Sequence, residues 1–261
     1  MDDIELLIRD KYNGDDSQKD EIVRDMERLA AGEPLAYVIG WIPFCGLQIF
    51  LEANGARPLI PRPETEWWTQ KLIEHLQDRF GKDEAIDASV EQPFRFGVLH
   101  LCAGSGAIGL AILSKFPNAH ISFGELNPGL ADLIRKNILE NGLDAGRAEI
   151  RTGDLFTPFE NEQFDIIATN PPYVPSLRAL DESVTNYEPP EALYSGVDGL
   201  ELIRRITTEA PEHLSEGGEL WMECDITNVV AAERLASLKF NETSIVNDQY
   251  GRPRLIIADV T

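Results

Sequence analysis

Residues 96–109 read FGVLHLCAGSGAIG. Their first half is an apolar run of the length of a buried strand. Their second half puts Gly104, Gly106 and Gly109 into a turn that opens a helix, GAIGLAILSKF. Glycine turns where a side chain would clash, and lets a ligand approach the backbone. The next strand, NAHISFGEL, closes on Glu125, 19 residues after Gly106. A strand, a glycine turn, a helix and a strand-terminal acid fit the unit that binds an adenosine-containing ligand, the acid accepting from both ribose hydroxyls. Glycines that merely serve a tight turn are the simpler alternative.

Working outward, the alternation continues. NPGLADLIRKNILENG reads as a helix with Asn127 as its N-cap and Pro128 in its first turn. AEIRTGD and FDIIATN read as strands, GLELIRRITTEAP as a helix, GGELWMEC as a strand and TNVVAAERLASL as a helix. ETSIVNDQ and PRLIIADV close the chain as a pair of strands, which predicts one antiparallel strand near the sheet edge. Such alternation implies an α/β fold with a mostly parallel sheet covered on both faces. Upstream, Ile22, Val23, Met26 and Leu29 recur at helical spacing and Gly32 is placed to stop that helix. Residues 32–63 read as short strands or a hairpin, ETEWWTQKLIEHLQDRF as a helix, and DEAIDASVEQP as a loop. The division expected is residues 1–60, a helical and hairpin region for substrate recognition, and residues 61–261, the cofactor-binding domain.

The strand FDIIATN runs into Asn170, Pro171, Pro172 and Tyr173. Proline has no N–H to give a sheet, so the strand stops there. Ligands in such sheets bind at the carboxyl ends of the strands. A conjugated –NH2 group is a poor nucleophile because its lone pair is delocalised. The Asn170 side-chain oxygen and the Pro171 carbonyl can each take one of its protons, and Tyr173 can stack on the flat group. Rigid acceptors favour a transition state in which electron density gathers on that nitrogen. A bound electrophilic methyl would then be attacked in line. The plainer alternative is a proline turn with a packed tyrosine. Asp154, after the third strand, could hold the exocyclic amine of an adenine with Leu155 beside its ring, or serve only as a cap or turn residue.

Composition narrows the function. The chain has 261 residues, of which 43% are hydrophobic, enough for a normal core. The 45 acidic residues against 23 Lys and Arg give a net charge of −22. That disfavours nucleic acid and favours a basic protein partner. Small basic groups occur only at Arg204, Arg205, Arg252 and Arg254. Cys45, Cys102 and Cys224 are far apart and form no CxxC pair, so neither a bound metal nor a disulfide framework is expected. No apolar run reaches the ~20 residues of a membrane span. The acidic start MDDIELLIRDKYNGDD argues against a targeting leader, and a cytoplasmic monomer is expected.

Together, GEPLAYVIG, LIPRPETE, LHLCAGSGAIGLA, GELNPGL, GDLF, NPPYVP, YEPPEAL with GVDGLELIRRI, and GGELWMEC resemble the HemK/PrmC family. These are release factor glutamine N5-methyltransferases of the class I, Rossmann-like, S-adenosylmethionine-dependent type. The resemblance runs from about Gly32 to the C-terminus. It implies a seven-stranded, mostly parallel sheet with helices on both faces, plus the small N-terminal helical and hairpin region. It implies that Cys102, Ala103, Gly104, Ser105 and Gly106 wrap the methionine part of S-adenosyl-L-methionine. Glu125 would bind the ribose, Asp154 and Leu155 the adenine, with Asn170 also near the cofactor. Asn170, Pro171, Pro172 and Tyr173 would hold the side-chain amide of a glutamine, with Asn170, Pro171 and Tyr173 the catalytic members. The usual substrate is the Gln of a Gly-Gly-Gln motif in a peptide chain release factor. Arg62, Glu64 and Glu66 would line the cofactor side, and YEPPEAL would cover the site. Two positions depart from the family pattern: His100 stands where the family usually has Asp, and Cys102 where it has Gly or a similarly small residue. The alternatives are methylation of a base amine in RNA or DNA, or of a ribosomal protein glutamine, an NAD-dependent oxidoreductase, and a non-catalytic binding module.

Overall fold

The computed structural model describes residues 2–81 and 96–260, so the loop expected at DEAIDASVEQP lies outside the described residues. Seven strands form one sheet in the order β5-β4-β3-β6-β7-β9-β8. They are β3 (Phe96–Leu101), β4 (Ala119–Glu125), β5 (Ala148–Thr152), β6 (Phe164–Thr169), β7 (Leu214–Glu223), β8 (Glu242–Asn247) and β9 (Pro253–Asp259). β5, β4, β3, β6 and β7 run parallel, and β9 alone is antiparallel, inserted between β7 and β8. The expected sheet and its one reversed strand are both present. The alternation of side chains along β3 serves two cores. Phe96 and Val98 pack toward α4 (Pro63–Phe80), α5 (Ala107–Lys115) and α6 (Pro128–Glu140). Leu99 and Leu101 pack toward α8 (Glu201–Glu209) and α9 (Val229–Ala236).

The N-terminal region holds α1 (Asp3–Tyr12), α2 (Lys19–Ala30), α3 (Leu35–Ile39) and the hairpin β1 (Trp41–Phe44) with β2 (Leu47–Phe50). Two details differ from the sequence reading. LAYVI is a short helix rather than a strand: it starts after Pro34 and ends at Gly40, which sits in the left-handed region at φ 96°. The inner face of α2 is turned from the expected one. Ile22 is buried and Leu29 packs beside it, but Val23 is 53% exposed and Met26 38%. Asp25 lies inside instead, because its carboxylate accepts from the Tyr12 hydroxyl at 2.7 Å and pairs with Lys11 and Arg28. Gly32 does stop α2: at φ 89° it lets the Glu33 N–H reach the Arg28 carbonyl.

Past β6 the chain wanders through α7 (Glu182–Thr185) before α8, and this excursion roofs the site. Among the described residues no helix is long and apolar enough to cross a membrane.

Candidate active site

A cavity of about 250 Å³ opens at the carboxyl ends of β3, β4, β5 and β6. Its floor is the glycine turn. Gly104 and Gly106 have φ of 56° and 84°, a region glycine enters without the strain a Cβ brings. Cys102 also adopts a positive φ, 54°, at about 1–2 kcal/mol for a residue with a Cβ. That is the physical reason a glycine is natural at this position. Gly109 serves packing: a Cβ there would lie 2.5 Å from the Phe123 ring, so α5 could not sit this close to β4.

Glu125 is 7% exposed and lines the cavity. One oxygen accepts from the Gly104 N–H at 2.7 Å, the other from the Asn127 N–H at 2.9 Å. Burial pushes the carboxyl upward, and those backbone donors pull against it. The acid therefore ties the glycine turn to the N-cap of α6. Lone pairs remain on both oxygens for donors in the cavity. Asp154 follows β5 at a bend and lines the same cavity with Gly153 and Leu155. Both its oxygens already hold Arg205, at 3.1 and 2.9 Å. Of the other basic residues, Arg204 pairs with Asp198, Arg254 lies 3.8 Å from Asp248, and Arg252 stacks over Tyr250. Each of these basic groups thus faces an acid or an aromatic ring.

His100 lines the cavity wall. It is fully enclosed and its pKa falls to about 3 through burial, so the ring is neutral. Its Nδ1 accepts from the Gly109 N–H at 3.2 Å, which places the remaining ring proton on Nε2. An aspartate here would carry charge and could only accept. Histidine replaces that charge with a neutral ring that still satisfies a first-turn N–H of α5.

At the end of β6 the structure separates the four NPPY residues. Asn170 and Pro172 line the cavity, whereas Pro171 and Tyr173 lie beyond its wall. The Asn170 Nδ2 donates to Thr65 Oγ1 at 3.1 Å. The Tyr173 hydroxyl donates to Glu223 at 2.9 Å, and its carbonyl accepts from Asn228 at 3.0 Å. Cys102, Ala103, Gly104 and Ser105 line the cavity, and Gly106 sits just behind as the N-cap of α5. Of IPRPETE, Pro61 and Thr65 reach the cavity, but Arg62, Glu64 and Glu66 do not. Arg62 binds Glu188 at 2.7 Å, and Glu66 accepts from the Cys45 N–H at 2.6 Å.

YEPPEAL forms the roof. Pro189, Glu191 and Ala192 line the cavity. Glu188 is buried and accepts from the Ile60 N–H at 3.1 Å as well as from Arg62, clasping the roof to IPRPETE. The Tyr187 hydroxyl donates to the Ala31 carbonyl at 2.8 Å, which anchors the roof to the N-terminal helices. Sequence reading missed Thr65, Trp68, Glu188 and Glu223. Glu223 alone carried a signal: like Glu125, it is an acid closing an otherwise apolar strand.

The methyltransferase small domain family matches residues 69–187. The chain is 35% identical over 201 residues to the release factor glutamine methyltransferase of Geobacter sulfurreducens, covering 76% of this chain and 63% of that protein. It is 33% identical over 237 residues to the release factor glutamine methyltransferase of Deinococcus radiodurans, covering 89% of this chain and 77% of that protein. This chain belongs to the release factor glutamine methyltransferase family. Another relative of this family member is the ribosomal protein uL3 glutamine methyltransferase of Bradyrhizobium diazoefficiens, 34% identical over 200 residues. That match covers 76% of this chain and 59% of the relative. The fold is shared with the T. thermophilus 16S rRNA N2 G1207 methyltransferase, solved in complex with AdoMet and guanosine. The two have a TM-score of 0.55 at 20% identity, over 85% of this chain and 50% of that one.

Proposed function

We propose that this family member transfers a methyl group from S-adenosyl-L-methionine to the side-chain amide nitrogen of a protein glutamine, the Gln of a Gly-Gly-Gln motif in a peptide chain release factor. The observation that carries this reading is the polarity of Asn170. Its Nδ2 is committed to Thr65, so its Oδ1 is left to accept a proton from a substrate amide. The cavity fits the cofactor in kind. It is mostly apolar, its floor is a glycine turn whose backbone a ligand can approach closely, and a buried acid with spare lone pairs stands at one wall. Cys102, Ala103, Gly104 and Ser105 would hold the amino-acid part, with Gly106 shaping the turn behind them. Glu125 would hold the ribose, and Asp154 with Leu155 the adenine. When bound, S-adenosylmethionine supplies an electrophilic methyl group.

This chain's residues supply the rest. Asn170 Oδ1 accepts one amide proton and fixes the nitrogen; the Pro171 carbonyl, which lies beyond the cavity wall, would take the second from a substrate amide that reaches past Asn170. Pro171 and Pro172 stiffen those acceptors, and the roof from Tyr187 onward excludes water. The amide nitrogen held by Asn170 would take that methyl group, with the bonding electrons left on the cofactor sulfur. The amide nitrogen then loses one proton to water, so no general base is required. We read the protein as a cytoplasmic monomer that forms no stable complex with nucleic acid. The paired state of Arg204, Arg205 and Arg254 supports the last point. A ribosomal protein glutamine is the second reading, favoured by the Bradyrhizobium relative.

The deciding experiment uses labelled S-adenosylmethionine with a release factor, its Gly-Gly-Ala variant, ribosomal protein uL3, and bulk RNA and DNA. Label on the wild-type release factor and not on the variant is the expected result. Label on uL3 alone would move the substrate, and label on nucleic acid would overturn the glutamine reading.

A further inference from the structure

Glu223, 1% exposed at the end of β7, takes part in no step described above, yet three donors from two distant segments converge on it. Its Oε2 accepts from Thr65 Oγ1 and from Trp68 Nε1, both at 2.7 Å, and its Oε1 accepts from the Tyr173 hydroxyl at 2.9 Å. We propose that Glu223 and Thr65 form a positioning relay that sets which end of the Asn170 amide faces the substrate. The proposal rests on the reading above, that Asn170 grips an acceptor amide.

The argument is one of hydrogen-bond direction. The indole N–H and both hydroxyls donate to Glu223, and these hydrogen bonds hold it as an accepting carboxylate against the upward push of burial. The Thr65 hydroxyl therefore spends its single proton on Glu223. Its oxygen can then only accept from Asn170, so the Asn170 group 3.1 Å away must be the NH2 end. The carbonyl end is forced toward the cavity. Without this relay both amide orientations would be open, and the wrong one would put two donors against the donor NH2 of the substrate. Glu223 also holds the Tyr173 hydroxyl, so both ends of the NPPY turn answer to one buried carboxylate.

Thr65→Val keeps the shape of the side chain and removes the hydroxyl, whereas Thr65→Ser keeps the hydroxyl. We expect the valine variant to lose about 10- to 100-fold in kcat, the scale of a misoriented catalytic group. The serine variant should stay within about threefold of wild type, and S-adenosylhomocysteine affinity by calorimetry should change by less than about threefold in both. A second readout needs no turnover. The Asn170 side-chain NH2, assigned by NMR, should be protected from exchange in wild type and Thr65→Ser and lose protection in Thr65→Val. Unchanged kcat and unchanged protection in Thr65→Val would overturn the relay, as would equal losses in both variants. A wild-type protein that methylates none of the acceptors would sink the glutamine reading, while the NMR comparison would still decide the relay.

Discussion

In the proposed grip Asn170 serves because its amide has two unlike ends, and only one can accept. Removing it should leave the cofactor cavity intact, since Glu125 and the glycine turn lie on other strands. Asn170→Ala is thus expected to lower turnover by roughly a hundredfold while S-adenosylhomocysteine affinity holds, as loss of a transition-state contact does. Single-turnover kinetics beside calorimetry checks this, and unchanged turnover would refute the assignment. His100 makes a different prediction. Burial lowers its pKa from 6.5 to about 3, so between these values the unfolded chain binds more protons than the folded one. Folding stability from this site is complete above about pH 6.5 and is lost as pH falls toward 3, at about 1.4 kcal/mol per pH unit. Denaturant melts of wild type and His100→Gln across that range should diverge with this slope. Parallel curves would mean that the ring does not stay neutral.

At the level of elements, the site depends on α5 pressing against β4. The first turn of α5 meets His100 and the glycine turn only because Gly109 lets the helix approach Phe123. Gly109→Ala puts a methyl 2.5 Å from a ring carbon that is itself fully buried. The expected cost is about 1–3 kcal/mol of stability, the range for overpacking a core. Urea denaturation tests it. A neutral or stabilising result would mean that the helix relaxes away from the sheet without penalty. The roof is an element of the opposite kind, tied down by several distant segments, including backbone bonds between Val174 and both Leu193 and Ser195. Glu188 joins it to IPRPETE and Tyr187 joins it to the N-terminal helices.

For the whole molecule, charge and shape act together. A chain of ion pairs, Arg28 to Glu33 to Arg57 to Glu52, stitches the N-terminal helices to the segment beyond the hairpin. The surplus of 45 acidic over 23 basic side chains spreads a negative field around this frame. Fields between exposed charges fade beyond about 10 Å at 0.1 M salt, whereas contacts in an enclosed cavity are screened far less. For a basic protein acceptor, KM should rise several-fold between about 0.05 and 0.3 M salt, a range over which the Debye length shrinks about 2.4-fold. Cofactor affinity should hardly move. A salt-independent KM would remove electrostatic attraction from the account of substrate capture.

What was legible from residues alone was what near neighbours determine. The strand and glycine turn of residues 96–109, the Asn127 cap with its bond to the Gly129 N–H, and the sheet's one reversed strand all follow from local spacing and chemistry. Glu125, Asp154 and Asn170 were recognisable because each follows a readable strand. The inner face of α2 was not, because Asp25 is drawn inside by Tyr12 and Lys11 on another helix. Nor were the roles of Thr65, Glu188 and Glu223. Thr65 lies 158 residues from Glu223 and 105 from Asn170, and Arg62 lies 126 from Glu188. The sequence by itself determined the strands, their terminal acids and the NPPY turn, since those depend on backbone preferences over a few residues. Only the tertiary structure decided which end of Asn170 faces the cavity, because a hydrogen bond's direction is set by the partners that packing brings within 3 Å.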